Sequence, residues 1–281
     1  MIKPTNRRWL ITIAALAIVL LAAGTDSLAT MADGDNPLVE RWEFDLGGFF
    51  LGSSTDVTLY SELLEDGTSI SLEDDLGFDS SGTTFHINGA VRLGRRHQFS
   101  VGYFDMPRNT TEQISFDLEW GDETFPIDST VTGYFDLKFV EFGYDYWVVT
   151  KDRTALSLGL SLSWITLKAG LGVEGVEDSI GTDLSSDVPV PTLGVGLRQH
   201  LFHRLILNAG LGYMTLSPLQ DIKGDVWRSQ IGLEHHTWEH VGFGLKYRYD
   251  VYDITKEEGP LLDWDLGFDL SGFDVYLHFM F

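Results

Sequence analysis

Two short motifs in this chain combine residue types that bind metals or phosphates in other proteins. His236-Thr237-Trp238-Glu239-His240 matches H-x-x-E-H, a zinc pattern that needs both histidines on one face of a helix. Gly170-x-Gly172-x-x-Gly175 has the letters of a dinucleotide fingerprint, which needs a helix to begin at the glycines. Both motifs instead follow sequence that alternates as in a β-strand, so neither lies on the helix that its chemistry requires. We therefore expect no catalytic residues and no cofactor, and leave open adventitious metal binding by His235, His236 and His240.

A repeated acidic segment offers oxygen ligands instead. Residues 72–82 read LEDDLGFDSSG and residues 262–272 read LDWDLGFDLSG, identical at eight of eleven positions. Carboxylates at this spacing, together with backbone carbonyls, suit Ca²⁺ or Mg²⁺. Asp75, Asp79, Asp265 and Asp269 are the candidate ligands of one such cation between the two copies. The alternative is a recurrent turn before a strand, with solvated charge.

The composition excludes several classes of protein. The 281 residues include 42 Asp and Glu against 19 Lys and Arg, a net charge of -23, and there is no cysteine. Such a chain is repelled by nucleic-acid phosphate, so we expect no nucleic-acid partner. The lack of cysteine excludes disulfides, thiolate metal sites and cysteine nucleophiles.

The first residues have the form of a secretory signal peptide. Lys3, Arg7 and Arg8 form a basic region, residues 9–23 are apolar, and Ser27-Leu28-Ala29 supplies small residues for cleavage. A membrane anchor needs about 20 apolar residues, more than are found here. We predict a signal peptide at 1–29, a short N-terminal periplasmic segment at 30–40 and one domain at 41–281.

Alternation of apolar and polar residues predicts the fold of that domain. From Val241 to Val251 every second residue is apolar and those between are small or charged, a period of two that a helix does not produce. The pattern recurs near residues 85–93, 156–163 and 205–213, where the second face is rich in Gly and Ser. Strands of about ten residues with one lipid-compatible face predict an all-β, transmembrane, antiparallel up-and-down β-barrel.

The connections alternate in length, which predicts the topology. Short polar turns near residues 94–96, 150–153, 200–203 and 237–239 separate longer acidic segments. Both termini then lie on the periplasmic side and the barrel has ten strands, with eight or twelve as alternatives. We place the strands at 41–60, 82–93, 97–118, 127–149, 154–171, 188–199, 204–217, 224–236, 240–253 and 268–281. Apolar residues change phase at Phe139/Val140 and Trp164/Ile165, where we expect β-bulges.

Residues that alternate with the lipid-facing positions point to the other face of the strand and should line the lumen. The predicted network of lumen charges contains eight acidic and seven basic side chains: Glu43, Asp45, Arg92, Asp136, Lys138, Glu141, Asp145, Lys168, Arg198, Arg228, Glu234, Lys246, Arg248, Asp250 and Asp274. Charges in a narrow interior must be paired or hydrated. Mixed signs therefore favour an occluded, ion-paired lumen, and a continuous narrow pore is the alternative.

The last strand and three acidic or aromatic motifs suggest a family. An apolar residue occupies every second position from Phe273 to the terminal Phe281, including Phe279, which resembles the assembly signature of bacterial outer-membrane proteins. The segments SLEDDLGFD (71–79), GDETFP (121–126) and the strand at 135–146 resemble a group of uncharacterised Gram-negative outer-membrane barrels. That resemblance implies location and fold, with no activity or catalytic residues to transfer.

Together these features predict an integral outer-membrane protein. We expect a non-enzymatic structural or narrow, porin-like small-solute passage protein whose acidic extracellular loops bind divalent cations. A barrel enzyme that modifies lipid or cleaves protein is the alternative. The expected partners are outer-membrane lipid, lipopolysaccharide and the barrel assembly machinery, and we expect a monomer.

Overall fold

The computed structural model describes residues 38, 40–60, 68–115, 117–120, 123–173, 184–202, 204–219, 222–257 and 263–281. The predicted signal peptide and nearly all of segment 30–40 lie outside these residues. Thirteen strands occur in the described ranges: β1 (Trp42–Tyr60), β2 (Thr68–Ser71), β3 (Ser81–Leu93), β4 (His97–Gln113), β5 (Leu118–Trp120), β6 (Glu123–Phe125), β7 (Thr130–Thr150), β8 (Thr154–Val173), β9 (Leu184–Phe202), β10 (Leu205–Leu219), β11 (Ile222–His235), β12 (Val241–Glu257) and β13 (Asp263–Met280).

Ten of these strands form a closed antiparallel barrel. The strands β1, β3, β4 and β7 to β13 pair in chain order, and β13 pairs with β1 from Glu43↔Met280 to Tyr60↔Asp263. This confirms the predicted fold class and strand number, and the eight- and twelve-strand alternatives are wrong. Within the described residues no helix is long and apolar enough to cross a membrane. The short connections lie at one end of the barrel, the turn end, and the long ones at the other, the loop end.

One part of the wall at the loop end is built differently. β3 pairs with β1 only as far as Gly52, and beyond it β2 takes over from Asp56 to Leu59. Residues 68–80, which we call the wall segment, comprise β2 and the turn that follows. The Thr110 hydroxyl of β4 donates a hydrogen bond to the carbonyl of Leu76, over 2.7 Å. The wall segment thus connects β1 with β4 where β3 does not reach.

The outer surface changes character along each strand. On β8, Leu158, Leu160, Leu162 and Trp164 point outward and are exposed, whereas beyond Trp164 the outward residues include Lys168. Nine residues from 156 to 164 rise about 27 Å along the strand, or about 21 Å at a tilt of about 40°. This matches the apolar band of a membrane barrel, which is about 25 Å tall. The strands therefore extend beyond the membrane on the loop side.

The predicted bulges at the two phase changes are wrong. The register of β7 with β8 runs unbroken from Val131↔Val173 to Trp147↔Ser157, and its single shift lies near the turn, between Trp147 and Val149. The inward position is thus odd-numbered along the whole of β8, and only the residue types change. Ile165 and Leu167 are buried in the interior. They lie where the outer face of the barrel leaves the lipid, so the apolar residues of the strand now point inward.

The interior has two parts as a result. In the loop half, inward apolar side chains from nearly every barrel strand, together with those of the wall segment and the β5–β6 hairpin, form one continuous core. Phe139, Tyr252 and Phe268 pack against one another at its boundary with the turn half, with ring centroids 4.5 to 6.1 Å apart. We call this the apolar core. The turn half of the interior is polar.

Candidate functional site in the lumen

The turn half of the barrel encloses a cavity of about 370 Å³, the charged chamber. Inward glycines on β9 and β10, among them Gly194, Gly196, Gly210 and Gly212, leave space on one side of it. Charged side chains project into this space from other barrel strands, including β1, β7, β11 and β12. The chamber exists because small residues and long charged residues share one layer of the barrel.

A first ion-paired group lies near the turn end. Arg198 donates to Glu43 over 2.6 Å and lies 3.5 Å from Glu234. The guanidinium of Arg92 stands over the ring of Trp147, 4.6 Å from its centroid, and donates to Gln98 over 3.2 Å. These guanidinium groups are buried, so their carboxylate partners offset the cost of removing charge from water.

A second group lies nearer the apolar core. Arg228 forms an ion pair with Glu141 and lies 3.7 Å from Asp250, which also accepts a hydrogen bond from Arg248 over 3.0 Å. Arg248 packs over Phe49 and Phe104 of the boundary, with distances to the ring centroids of 5.2 and 5.3 Å. The charged chamber therefore meets the apolar core through cation–π contacts.

A third group surrounds Asp274, whose side chain has no exposure to solvent. The Lys246 ammonium lies 3.1 Å from one carboxylate oxygen and His86 Nδ1 lies 3.2 Å from the other. The ring of Tyr276 sits beneath the ammonium, with its centroid 5.0 Å away. This arrangement holds a buried carboxylate between two basic side chains.

Most of the predicted lumen charges lie in these groups or line the chamber. The exceptions are Asp136, Lys138 and Lys168, for which the predicted inward direction is wrong. Their neighbour Leu137 is fully buried in the apolar core, so the side chains of Asp136 and Lys138 must point to the opposite face. Lys168 stands directly opposite Asp136 on that outer face, which meets water.

A cluster of histidine and carboxylate side chains closes the turn end of the chamber. Glu234 Oε1 lies 2.7 Å from His236 Nε2 and 3.5 Å from His278 Nε2. Asp45 Oδ1 lies 2.6 Å from Nδ1 of His278. All three members of the group Glu234, His236 and His278 are buried, and it is the one group of three or more potential metal ligands among the described residues.

Sequence reasoning missed the histidines of the lumen. His86 and His278 occupy inward positions of β3 and β13, in the same phase as predicted lumen residues such as Asp274. The alternation itself was thus the signal that could have found them. His235 and His240 are exposed, whereas His236 is buried, so the three side chains do not form a common site.

The repeated acidic segments adopt two different conformations. Asp75 belongs to the turn of the wall segment, where its carboxylate accepts the amide of Ser71 over 2.8 Å, and Gly77 has a φ of 65°. Asp265 and Asp269 lie in extended β13, on the outward face. Asp79 is exposed. The structure does not group these four carboxylates, and the cation expected between them stays a prediction.

What the two copies share is their apolar residues. Leu76 and Phe78 of the first copy and Leu266 and Phe268 of the second all enter the apolar core. The two terminal glycines of the repeat stand on either side of Leu51 in β1. The repeat thus supplies matching core residues to the two neighbours of the first strand.

The wall segment is anchored by a buried ion pair. Arg108 of β4 pairs with Glu73 and donates to the hydroxyls of Ser53 and Thr55, over 3.0 and 2.8 Å. The same guanidinium packs against the ring of Phe135, 4.8 Å from its centroid. This is an isolated polar contact inside the otherwise apolar half.

An apolar cluster that includes Leu38 covers the turn end of the barrel. Leu38 is fully buried against Trp147, Ala155 and Ile206, in a small apolar cluster separate from the apolar core. Burial raises the pKa of the Glu40 carboxyl, which lies just before β1. Leu38 therefore packs against the turn end of the chamber.

The predicted assembly signal lies on the outer face at the seam of the barrel. Phe273 and Phe281 are exposed, and the amide and carbonyl of Phe281 both bond with Trp42, each over 2.9 Å. Phe279 stands opposite Phe44 of the first strand. The terminal aromatic residue thus completes the pairing of the last strand with the first.

Sequence comparison finds no relative, whereas comparison of structures does. No family model and no curated protein matches the chain. The outer-membrane protease OmpT from Escherichia coli is 10% identical, with 92% of this chain and 100% of that chain covered and a TM-score of 0.54. The translocator domain of the autotransporter NalP from Neisseria meningitidis is 12% identical, with coverages of 99% and 98% and a TM-score of 0.48.

A third similar structure is the toluene transporter TodX from P. putida, 9% identical, with coverages of 86% and 90% and a TM-score of 0.35. At these identities the likeness to OmpT establishes the fold alone. The chain has the fold of bacterial outer-membrane β-barrels, which agrees with the predicted location.

Proposed function

We propose that this protein is a non-enzymatic barrel of the outer membrane that serves as a narrow small-solute passage, closed at rest. The observation that carries the proposal is the division of the interior into a charged chamber and an apolar core. A polar solute fits the chamber, whose volume is about 370 Å³. To pass further it would have to cross the core, where groups such as Leu137 and Phe268 have almost no exposure. Passage therefore needs part of the loop half to move, and it also needs displacement of the residues that cover the turn end, among them Leu38.

The wall segment is the element best suited to that movement. It lies outside the ladder of ten long strands, and β2 pairs with β1 over four residues only. Its ion pair is that of Glu73 with Arg108, beside hydrogen bonds from the Thr55 amide to Glu73 over 2.8 Å and from the Thr110 hydroxyl to the Leu76 carbonyl over 2.7 Å. Displacing it would remove Leu72, Leu76 and Phe78 from the apolar core and expose the gap between β1 and β4.

A passage role suits the charges better than a catalytic role does. The chamber residues pair with one another, and the described histidines lie in the turn half, away from the loops. A hydrolytic site at the outer rim that uses histidine as its base would need a histidine there. We also propose lipid, lipopolysaccharide and the assembly machinery as partners of a monomeric barrel, and its acidic loop end would attract cations as solvated charge.

Recordings from planar bilayers containing the purified barrel test this proposal. The wild-type protein should show no steady conductance. Arg108→Ala should produce discrete openings, because Glu73 then loses its partner and the wall segment is released. The matched control is Arg96→Ala, at an exposed turn, which should stay closed.

The recordings can contradict the proposal in two ways. A large steady conductance of the wild-type barrel would show that the apolar core does not close the lumen. If Arg108→Ala is folded, as judged by its resistance to SDS before heating, and is as silent as the control, the barrel has a structural role instead of a passage role.

A further inference from the structure

We propose that Glu234, His236 and His278 bind one divalent transition-metal ion, of the Zn²⁺ type, at the turn end of the charged chamber. The proposal depends on the positions of the ligand atoms and is independent of how the loop half opens. It concerns a site different from the repeated acidic segments. It also differs from the H-x-x-E-H pattern, of which it uses His236 alone.

The ligand atoms already lie close to the required distances. One carboxylate oxygen and two imidazole nitrogens all lie within 4.8 Å of one another. A tetrahedral ion with bonds of about 2.0 to 2.1 Å places neighbouring ligand atoms about 3.3 Å apart. The observed separations from Glu234 Oε1, 2.7 Å to His236 and 3.5 Å to His278, bracket that value. Small rotations of the side chains would admit the ion.

The orientation of His278 points independently to a ligand. Asp45 stands directly opposite it in the ladder of β1 and β13, and the carboxylate fixes Nδ1 over 2.6 Å. Nε2 then faces the cluster, and it has no hydrogen-bond partner although the side chain is 2% exposed. A histidine held by a carboxylate through one nitrogen, with the other free, is the arrangement of histidine ligands in metal proteins.

One glycine, Gly244, leaves the space in which the side chains around Glu234 meet. Glu234 of β11 and Tyr276 of β13 flank Gly244 of β12, and a Cβ at Gly244 would overlap the ring of Tyr276. The tyrosine crosses β12 at this point, and its hydroxyl donates to Glu234 Oε2 over 3.3 Å. The second carboxylate oxygen is thereby held, and Oε1 is directed toward the histidines.

Carboxylates outnumber guanidinium groups around the cluster. The carboxylates are those of Glu43, Asp45 and Glu234, and the guanidinium groups are those of Arg92 and Arg198. The net field at the cluster therefore favours a bound cation. Arg198 competes for Glu234 Oε1 from 3.5 Å, but its shorter bond, 2.6 Å, goes to Glu43, where it can remain when the ion binds.

The ligand set indicates the class of ion. Two imidazoles and one carboxylate suit Zn²⁺ and its transition-metal neighbours, whereas Ca²⁺ and Mg²⁺ take six or more oxygen ligands. Glu234 and His278 both line the charged chamber, so a fourth position would face the cavity. Water or a small solute in the chamber could occupy it.

Metal titration of the full barrel, purified in detergent and stripped with a chelator, tests the proposal. Calorimetry should show one equivalent of Zn²⁺, and Co²⁺ should give the visible absorption of a tetrahedral ion. His236→Ala and His278→Ala should each abolish this equivalent. His235→Ala, at the adjacent exposed histidine on the outward face, is the matched control and should bind as the wild type does.

A second variant keeps the test valid if a ligand substitution impairs folding. Asp45→Asn retains all three ligands and should weaken Zn²⁺ binding about 10- to 100-fold, the usual effect of altering a group that orients a ligand. Absence of Zn²⁺ binding by the folded wild-type barrel would overturn the proposal. So would unchanged affinity in folded His236→Ala and His278→Ala, because the bound ion would then lie elsewhere.

Discussion

The two halves of the barrel interior are built from the same strands with opposite residue types. Along β8 the inward residues from Ser157 to Ser163 are Ser and Gly, whereas from Ile165 to Leu171 they are Ile, Leu and Ala. The difference follows from what lies outside. In the turn half the apolar face meets lipid, so the interior is free to carry paired charge. In the loop half the exterior meets water, and the apolar residues must be buried inside for the hydrophobic effect to stabilise that part.

The largest effect should come from placing a charge in the apolar core. Leu167→Asp would bury an unpaired carboxylate at a position that is 2% exposed, at a cost above about 4 kcal/mol. We expect that variant not to form a barrel that resists SDS. Ser185→Asp, at an exposed position of the outer face opposite Lys168, should cost less than about 0.5 kcal/mol. The reverse ranking in urea unfolding would mean that the faces are assigned wrongly.

The next effect should come from breaking a pair in the charged chamber. Arg198→Met leaves Glu43 and Glu234 without their guanidinium, at a cost of about 3 to 5 kcal/mol for a buried pair. Combining it with Glu43→Gln and Glu234→Gln should recover part of that loss, because neither carboxylate is then left charged. Arg92, which lies 3.9 Å from Glu43, still loses its partner. Arg96→Met at an exposed turn is the control. Equal instability of the single and triple variants would show that packing, not charge, holds this layer together.

A smaller effect should come from the glycine that Tyr276 crosses. Gly244→Ala adds a Cβ that overlaps the ring, and overpacking of this kind costs about 1 to 3 kcal/mol. Gly82→Ala, where nothing lies within 4 Å of the added Cβ, is the matched control. Thermal unfolding should separate the two variants, and Tyr276→Leu should relieve the effect of Gly244→Ala. If both glycine variants unfold at the same temperature, the close approach of Tyr276 to Gly244 does not affect stability.

The smallest effect should come from the outer face of the loop half. Asp136 and Lys168 stand opposite each other in water, and an exposed cross-strand pair of this kind contributes about 0.2 to 1 kcal/mol. A double-mutant cycle with Asp136→Asn and Lys168→Gln should give a coupling in that range that declines as salt is added. A coupling of several kcal/mol that is insensitive to salt would place the pair inside the barrel. The interior of the loop half would then be charged, as that of the turn half is.

The strands themselves were readable from the sequence because alternation is a local property. β8 was predicted at 154–171 and spans Thr154–Val173, and β12 was predicted at 240–253 and spans Val241–Glu257. The error came where the local pattern had two explanations. A change of phase at Trp164 can mean a bulge or a change of environment, and alternation alone does not tell the two apart.

The sequence by itself determined the barrel, its strand number and most of the lumen charges, since each follows from period and connection length. Only the tertiary structure decided what meets across the lumen. Asp75 and Asp265 occupy equivalent places in a repeated sequence, yet one lies in a turn and the other in a strand, because β3 ends early and β2 takes its place beside β1. Glu234 and His278 lie far apart in the chain and on strands separated by β12. Their contact depends on the curvature of the sheet across β12 and on the space that Gly244 leaves, which no local pattern encodes.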